Sequence, residues 1–343
     1  MKMRLAFISV FCLFLTGVTG MASDGGRYQL LVGNTAADNV VAYSQNSGKY
    51  LGEFISADSG LLDSPDAIVV GPDSMLYVST GTSLANSAIL RFDWDGNYLG
   101  VFASGGGMLR PYGYAWGPDG MLYVASFLSD QILRYNGVTG AFVDVFAQGD
   151  ALPDGLNGPD DIAFGPDGML YITTQGSVAV NGSPTFPGLP SQVLRYDIST
   201  GAGEVFVDQP PASPEGFGFV SFLGIKFGPD SDNGDCDVWT SDFANDIRRF
   251  DLDGNLVQVI STNYTGTLPS NNFVGNLAFG KNNDLFSVAF NLVDPALPGA
   301  ILRWDSDGNP KPKAGNGGAI FAPENNNLVR CIGILAVDTV MQQ

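Results

Sequence analysis

The chain has 343 residues, of which 35 are acidic, 16 are Lys or Arg and none is His, so its net charge is −19. Without histidine it cannot contain a Ser-His-Asp triad, a Cys-His dyad or an imidazole-bound zinc or haem. The strong negative charge excludes nucleic acid as an expected partner, because its phosphates would be repelled.

The first 22 residues have the features of a secretory signal peptide. Lys2 and Arg4 form a basic start, an apolar run extends from Leu5 to Val18, and the small residues Gly20 and Ala22 suit positions −3 and −1 of a cleavage site. The run is too short to span a bilayer. We expect cleavage after Ala22, with Gly20 as the alternative. The mature chain, residues 23–343, is expected to be a single secreted or periplasmic domain without a membrane span.

A repeated segment predicts pairs of strands joined by a tight turn. Close copies begin at Asp66, Tyr112 and Asp160, and weaker copies begin at Leu223 and Gly275. In the close copies two apolar runs flank a turn that starts with Gly-Pro-Asp, and Pro in such a turn presets φ. The two runs of each copy are therefore expected to form neighbouring antiparallel strands.

A third and a fourth strand follow each copy. The third has a shared signature of apolar residue, Arg and aromatic residue, and this period of two is that of a β-strand. The arginines of this column are Arg91, Arg134, Arg195, Arg249 and Arg303. Turn residues and another apolar run come next, as at Tyr98–Ser104. Four short antiparallel strands in a repeat of about 40–60 residues are typical of a β-propeller blade.

The two ends of the chain supply the last blade. Leu30–Gly33, Val40–Tyr43 and Tyr50–Ile55 have strand patterns but lack an inner strand, whereas Gly333–Asp338 has the pattern of an isolated inner strand. Pairing the two ends would close a ring and remove exposed sheet edges. The sequence therefore predicts an all-β, six-bladed β-propeller of four-stranded antiparallel blades, with five or seven blades as the alternatives.

Two motifs resemble the NHL-repeat and senescence-marker-protein (gluconolactonase) superfamily of six-bladed propellers. They are the segment from Pro159 to Ile172, which contains Ile-Ala-Phe-Gly-Pro-Asp-Gly, and the segment from Ser241 to Phe250. The similarity extends over nearly all of residues 28–340. It implies the blade architecture more specifically than it implies an activity.

The resemblance also implies where a metal would lie. Gluconolactonase-type enzymes hold calcium or zinc at inner-strand starts through a Glu, an Asn and an Asp. Asp66 and Asp160 match that Asp, Asp161 is its neighbour, and Asn276 supplies an amide one position off, whereas the Glu and the Pro-Asn-Gly are absent. Converging carboxylate and amide oxygens would suit calcium. The alternative is that these aspartates bond local backbone at the strand entry.

The acidic segment 230–237 is a second candidate for calcium. Asp230, Asp232, Asp235 and Asp237 alternate around a Gly, as oxygen ligands do in calcium loops. The segment replaces a simple turn of the repeat and lacks the downstream Glu of an EF-hand. We expect either a structural calcium site here or a solvated acidic turn.

Recognition is expected where blades depart from the repeat. Pro- and Gly-containing insertions occur at Val178–Gln192, Pro210–Val220 and Asn291–Gly299, and long loops on one rim are typical of binding surfaces. The candidate ligand contacts are Tyr112, Phe186, Phe217 and Phe219. The alternative is that the insertions are neutral.

Two further patterns predict structural roles. The arginine column is matched by aspartates in the inner turns, and its repetition in every blade predicts a repeated contact from one blade to the next, either an ion pair or a hydrogen bond to a carbonyl. Those aspartates are Asp73, Asp119, Asp167 and Asp230. Cys236 and Cys331, the cysteines that remain after cleavage, are expected to be separate buried thiols.

These features predict an exported, monomeric propeller that binds a small molecule, a glycan or a protein at one rim, with calcium as the candidate cofactor. The alternative is a metal-dependent lactonase or esterase. In it Asp66, Asp160 and Asn276 would hold an ion that polarises an ester carbonyl and activates water. A part of a surface assembly is a third hypothesis. No catalytic residue is predicted, and the histidine chemistry of virginiamycin B lyase-like propellers is excluded because histidine is absent.

Overall fold

The computed structural model describes residues 26–229, 236–291, 298–323, 325 and 327–340. In these residues six four-stranded antiparallel sheets form the blades of a propeller, and a two-stranded hairpin is added to one of them. The prediction of an all-β, six-bladed propeller is confirmed. Below, blades are numbered 1–6 around the ring and strands are numbered in chain order.

The two chain ends form blade 1 together, as predicted. The C-terminal strand β26 (Cys331–Asp338) is innermost and pairs with the N-terminal strand β1 (Tyr28–Asn34). Strands β2 (Asn39–Ser44) and β3 (Tyr50–Ile55) complete the blade. Pairing the first strand with the last one closes the ring, so no inner strand is left at an open edge.

The remaining blades run in chain order from the inner to the outer strand. Blade 2 contains β4 (Ile68–Val70), β5 (Leu76–Thr80), β6 (Ala88–Phe92) and β7 (Tyr98–Ser104). Blade 3 contains β8 (Pro111–Trp116), β9 (Met121–Ser126), β10 (Gln131–Asn136) and β11 (Phe142–Gln148), with a 3-10 turn at Phe127–Ser129. Blade 4 contains β12 (Pro159–Phe164), β13 (Leu170–Thr174), β16 (Val193–Tyr196) and β17 (Gly203–Val207).

The last two blades follow the same order. Blade 5 contains β18 (Phe222–Pro229), β19 (Cys236–Asp242), β20 (Asp246–Phe250) and β21 (Leu256–Ser261). Blade 6 contains β22 (Asn272–Phe279), β23 (Leu285–Asn291), β24 (Ala300–Trp304) and the short outer strand β25 (Ile320–Ala322), with a 3-10 turn at Lys281–Asn283. The additional hairpin, β14 (Val178–Val180) and β15 (Ser183–Thr185), lies in the predicted insertion of blade 4.

Antiparallel order gives the propeller two different faces. Every inner strand begins on one face, which we call the mouth face, and ends on the other, the turn face. The mouth face consists of the loops at 35–38, 56–67, 81–87, 105–110, 127–130, 149–158, 175–192, 208–221, 243–245, 262–271 and 323–330, as far as these are described. The turn face carries the Gly-Pro-Asp turns and the Asp-Gly turns of the repeat.

Apolar side chains fill the spaces between neighbouring blades. Between blades 1 and 2, for example, Leu31 and Val40 pack against Leu76, Val78 and Leu90, and all five side chains are buried. Removing such surfaces from water stabilises the fold by about 25 cal/mol per Å². Successive side chains of a strand point to opposite faces of its blade, so one strand contributes to two layers: Leu31 packs between blades 1 and 2, whereas Leu30 and Val32 pack in the cluster on the other face of blade 1.

The inner strands have β-bulges at their mouth ends in five of the six blades. Register shifts fall around Tyr112, Asp160–Asp161, Leu223–Gly224, Gly275–Asn276 and Ile332–Gly333. A bulge adds a residue to one strand and re-aims its side chains, and bulges are frequent next to functional sites. Four predicted site residues, Tyr112, Asp160, Asp161 and Asn276, therefore lie in backbone that leaves the regular strand pattern.

The arginine column forms ion pairs within blades, which corrects the prediction of pairs between blades. Arg91 pairs with Asp73 of its own blade, and Arg134 pairs with Asp144 of its own blade at 2.5 Å. The remaining pairs, also within one blade, are Arg195 with Glu204, Arg249 with Asp237, and Arg303 with Asp284. The third strand lies beside the strands and turns of its own blade that carry these carboxylates, so the side chains meet without crossing the apolar layer.

The two cysteines lie in different blades. Cys236 begins β19, the second strand of blade 5, and Cys331 begins β26 of blade 1. No disulfide joins them. Burial raises the pKa of the Cys331 thiol to about 12, so this cysteine is neutral at neutral pH.

Candidate functional site

The opening of the central channel has a polar half and an apolar half. One residue from each blade, at or just before the start of the inner strand, surrounds this opening. From blade 1 to blade 6 these ring residues are Ile332, Asp66, Tyr112, Asp160, Leu223 and Gly275. Blades 2 to 4 thus contribute two carboxylates and a phenol, and the other three blades contribute apolar residues or glycine.

Asp66 is held by groups from both neighbouring blades. Its Oδ1 accepts a hydrogen bond from the Thr35 hydroxyl at 2.8 Å, and its Oδ2 accepts one from Arg110 Nε at 3.3 Å. Only 2% of Asp66 is exposed. Burial raises the pKa of this carboxyl, and the positive charges of Arg110 and Arg330 oppose that rise.

Asp160, the second ring carboxylate, accepts a hydrogen bond from the side-chain amide of Gln175. It is 2% exposed and receives no ion pair within the described residues. Burial, reinforced by the nearby charges of Asp161 and Asp66, raises the pKa of Asp160 well above its ordinary value. Burial thus disfavours the charged form of this carboxyl.

Asp161 joins three inner strands one residue deeper in the channel. Its Oδ2 accepts hydrogen bonds from Lys226 Nζ at 2.5 Å and from Asn276 Nδ2 at 2.9 Å. The backbone N–H of Ile225 donates to the same oxygen at 3.2 Å, and that of Ile162 donates to Oδ1 at 3.0 Å. Blades 4, 5 and 6 are thus linked by one buried carboxylate, and the Lys226 ammonium supplies the compensating positive charge.

Glycine makes this close approach possible. A Cβ atom on Gly113 of blade 3 would lie 2.5 Å from the Asp161 Cα and 2.5 Å from Asp161 Oδ1. On Gly224 of blade 5, a Cβ would overlap the side-chain oxygen of Asn276. Glycine is the residue that allows a backbone to approach another group this closely. The channel is therefore narrow at the level of Asp161.

The channel residues do not fit the gluconolactonase-type metal that the resemblance implied. A divalent cation needs several oxygen lone pairs directed at one point. Both oxygens of Asp161 already accept hydrogen bonds, and Asn276 Oδ1 accepts one from the backbone N–H of Leu277 at 2.7 Å. Asp66 and Asp160 face donors of their own. No group of three or more Cys, Asp or Glu side chains suited to a metal occurs in the described ranges.

Most of the acidic segment 230–237 lies outside the part of the chain that the structure describes. Asp230, Asp232 and Asp235 lie outside the described residues, so the loop calcium site stays a prediction. Asp237 is described and buried, and its Oδ2 accepts a hydrogen bond from Arg249 Nε at 2.5 Å. This carboxylate therefore belongs to the arginine column of blade 5.

Aromatic rings cover the apolar half of the opening. Phe217 stacks on Phe273 with 5.3 Å between ring centroids and an angle of 6° between planes. Phe243 lies 4.8 Å from Phe273 and 6.0 Å from Phe290, and the cluster packs against Leu223. Such ring pairs contribute about 0.5–1.5 kcal/mol beyond the area that they bury. The predicted contact residue Phe217 is thus an edge of a larger aromatic cluster.

The loops of the mouth face expose large apolar side chains. The most exposed of them are Leu268 (75%), Leu84 (69%), Phe186 (66%), Leu61 (60%) and Leu152 (58%). Phe217 and Phe219 are 41% and 44% exposed. On the turn face the exposed large apolar residues in the described loops are Val138, Leu252 and Val340. The three phenylalanines predicted as contacts all lie on the mouth face.

The insertion of blade 4 is held in place by a buried carboxylate. Asp130 Oδ2 accepts a hydrogen bond from the backbone N–H of Ala179 in the hairpin at 2.6 Å, and its Oδ1 accepts one from Gly158 at 3.1 Å. The hairpin packs against the turn at Phe127–Ser129 of blade 3. Phe186 follows this anchored hairpin, so its exposure belongs to an ordered segment.

The sequence analysis missed four side chains that complete the opening, namely Arg110, Gln175, Lys226 and Arg330. Two of them had a recognisable signal. Arg110 and Arg330 each stand two residues before the ring residue of their blade, and both have positive φ, 53° and 47°. Lys226 and Gln175 had none, because their partners Asp161 and Asp160 come from other blades or loops.

Solved structures resemble this chain in fold. A chain of the nidogen–laminin complex matches with a TM-score of 0.59 at 11% identity, over 90% of this chain and 98% of that chain. A streptogramin B lyase gives a TM-score of 0.51 at 16% identity, over 82% and 77% of the two chains. A candidate gluconolactonase gives 0.50 at 17% identity, over 71% and 74%. No protein-family model and no curated protein matches the chain.

The chain, with its six blades, shares a propeller fold with these proteins. At such low identities the likeness shows the fold alone, and at that level the resemblance drawn from the sequence motifs is confirmed. The helical turns of the described residues contain three residues each, and none of them could cross a bilayer. The propeller provides a rigid support for the loops of its mouth face.

Proposed function

We propose that this propeller is an exported binding module that holds a protein partner on its mouth face. The observation that carries the proposal is the exposure of five Leu or Phe side chains by 58% or more on loops of that face. Exposed apolar residues that cluster on one side of a monomer mark interaction sites. The partner is expected to present a complementary apolar surface.

The centre of the mouth face favours a surface contact over a deep ligand site. Asp66 and Asp160 are each 2% exposed, and the Arg110 guanidinium lies 4.8 Å from the Tyr112 ring centroid beside them. A ligand would therefore meet Arg110, Arg330 and the edge of the aromatic cluster before it met a carboxylate. Aromatic residues and Arg are enriched at the energetic centres of protein interfaces.

The structural relatives are compatible with this function. One of the matched chains belongs to a protein–protein complex, that of nidogen and laminin. The lyase relative offers no transferable chemistry, since this chain contains no histidine. The metal-dependent hydrolase alternative gains no support from the channel carboxylates, because hydrogen-bond donors occupy them.

Export and calcium belong to the same proposal and rest on the sequence. Residues 1–22 carry the signal-peptide pattern, and segment 230–237 carries the alternating aspartates. A calcium ion there would lie near the end of β18 and the start of β19, on the face opposite the mouth. Its role would be to hold these two strand ends together, and it would not touch the partner.

Affinity capture with matched variants tests the proposal. The immobilised mature protein is exposed to the secreted and envelope fractions of its source organism, beside the mouth variant Leu61→Ser/Phe186→Ser/Leu268→Ser. The control variant Leu99→Ser/Val143→Ser/Val257→Ser removes exposed apolar residues from the outer strands of blades 2, 3 and 5. Captured proteins are identified by mass spectrometry and re-tested in purified form by calorimetry.

The expected result is a partner that wild type and the outer-strand control bind equally and that the mouth variant binds at least about tenfold more weakly. Equal binding by the mouth variant, or a loss in the outer-strand control instead, would overturn the proposal. Thermal unfolding of all three proteins establishes that the serine substitutions leave the fold intact.

A further inference from the structure

The mouth face has positive side chains at its centre although the chain as a whole is strongly acidic. Its described loops contain two basic residues, Arg110 and Arg330, which precede the ring residues of blades 3 and 1. The backbone carbonyl of Arg330 accepts a hydrogen bond from the N–H of Thr35 at 3.3 Å, and Thr35 in turn donates to Asp66. The positive charges of both arginines act on the Asp66 carboxyl, so the two side chains lie near the same carboxylate.

Most other cations of the described chain are neutralised. Arg91, Arg134, Arg195, Arg249 and Arg303 each have a carboxylate partner in their own blade. The exposed side chain of Arg330, by contrast, makes no ion pair and no hydrogen bond within the described residues. Arg110 uses only its Nε toward Asp66, so its two Nη groups make no hydrogen bond in this part of the chain.

The carboxylates beneath these arginines have different partners. Asp161 pairs with Lys226, and Asp160 accepts a hydrogen bond from Gln175. Asp66 is thus the one of these three carboxylates that pairs with either arginine, and its partner is Arg110. Two arginines that share one carboxylate have unused capacity for a second anion, and the planar guanidinium matches a carboxylate with two parallel hydrogen bonds.

We propose that Arg110 and Arg330 bind a carboxylate of the partner, placed at the centre of the mouth face and surrounded by its apolar contacts. This inference rests on the proposed function and specifies the chemistry of that partner. The aromatic cluster around Phe217 and Phe273 lies on the other half of the opening. An acidic residue flanked by apolar or aromatic residues would therefore satisfy both halves at once.

Peptide selection distinguishes this proposal from the opposite expectation, which is that the acidic protein prefers basic peptides. A protein with a net charge of −19 is expected, on long-range electrostatics alone, to select basic peptides. Phage carrying a random peptide library are selected on the immobilised mature protein. The best peptide is then synthesised with its Asp or Glu, and again with Asn or Gln in that position, and both are titrated by fluorescence anisotropy.

The selected peptides should contain Asp or Glu next to apolar residues, and the amide analogue should bind about tenfold more weakly. Arg330→Gln and Arg110→Gln should weaken binding of the acidic peptide to a similar degree. Lys313→Gln, which removes the same charge from an exposed residue between β24 and β25, should change it less than about twofold.

Two results would overturn the carboxylate site and leave the proposed function standing. The first is the selection of peptides that contain no acidic residue. The second is an acidic peptide whose binding is unaffected by Arg330→Gln. In both cases Phe217→Ser would still abolish peptide binding. Peptides whose binding is indifferent to Phe217→Ser as well as to both arginine variants would overturn the proposed function itself. Thermal unfolding of each variant separates loss of binding from loss of fold.

Discussion

The turn face uses one local arrangement in blade after blade, whereas the ring of the mouth face contains five residue types in six blades. On the turn face Asp93, Asp251 and Asp305 each accept backbone N–H groups from the residues two and four positions later. On the mouth face the ring changes from carboxylate to phenol to apolar side chain within one turn of the propeller. Repetition indicates a scaffold, and departure from it is the reason for proposing the mouth face as the binding surface.

The largest expected contrast concerns one arginine from each region. Arg248, near the mouth end of blade 5, is 2% exposed and lies 2.8 Å from Asp246 and 3.3 Å from Asp242, both buried. Replacing it in Arg248→Met leaves two buried carboxylates without a counter-charge and should lower the free energy of unfolding by about 3–5 kcal/mol. Urea unfolding monitored by tryptophan fluorescence measures this change.

Arg91→Met is the matched control for that substitution. Arg91 and its partner Asp73 are each more than a third exposed, so solvent screens the pair and its loss should cost at most about 1 kcal/mol. If Arg91→Met lowered the free energy of unfolding as much as Arg248→Met does, the result would contradict the distinction between a buried ion pair near the mouth face and a solvated one on the turn face.

A pair of glycines gives the next largest contrast. In Gly113→Ala the new methyl group would overlap Asp161 and force two inner strands apart, at an expected cost of about 1–3 kcal/mol. In Gly120→Ala, on the turn face, the methyl group meets open space and the cost comes from the φ of 78°, about 1 kcal/mol. Thermal unfolding measures both, and a rise in Lys226 accessibility to acetylation is expected only for Gly113→Ala.

These contrasts also explain how much the sequence could predict. The blades were predictable because turn chemistry and strand alternation are local and occur in copy after copy. The site was only partly predictable, because Asp161 meets Lys226 and Asn276 at separations of 65 and 115 residues. Neither the bulges that re-aim the ring residues nor the Lys226 ammonium that pairs with Asp161 leaves a local pattern.

Acidic residues near the mouth face and acidic residues on the turn face should make the stability of the fold depend on pH in opposite directions. Burial, with the neighbouring charge of Asp246, raises the pKa of Asp242 near the mouth from its ordinary value to about 6. The folded state then binds protons more tightly than the unfolded state, so stability increases as pH falls from 7 through 6 and is lost as pH rises through 6. We expect Tm to be about 2 °C higher at pH 5.5 than at pH 7.5.

On the turn face, an acidic residue should make the fold less stable as pH falls. The hydrogen bond from Asn97 lowers the pKa of Asp93, so its contribution to stability is lost as pH falls through that lowered pKa, well below pH 5. Asp242→Asn should flatten the Tm profile between pH 5.5 and 7.5 and leave the acid limb unchanged. An Asp242→Asn profile identical to that of wild type would show that Asp242 does not control this range.

The smallest expected effect concerns calcium. If segment 230–237 holds the ion, the purified mature protein should contain calcium that is lost on chelation and in Asp232→Ala, but retained in Asp160→Ala. Metal analysis by mass spectrometry measures this, and a change of only a few degrees in Tm should accompany the loss. Calcium lost in Asp160→Ala alone would place an ion in the channel and contradict the assignment of its carboxylates to hydrogen-bond donors.

The most direct test of the functional division between the faces is hydroxyl-radical footprinting of the propeller with its captured partner. Binding should protect Leu61, Phe186, Phe217 and Leu268 on the mouth face and leave Val138 on the turn face as reactive as in the free protein. Protection of Val138 with unchanged reactivity of the mouth-face residues would contradict the account.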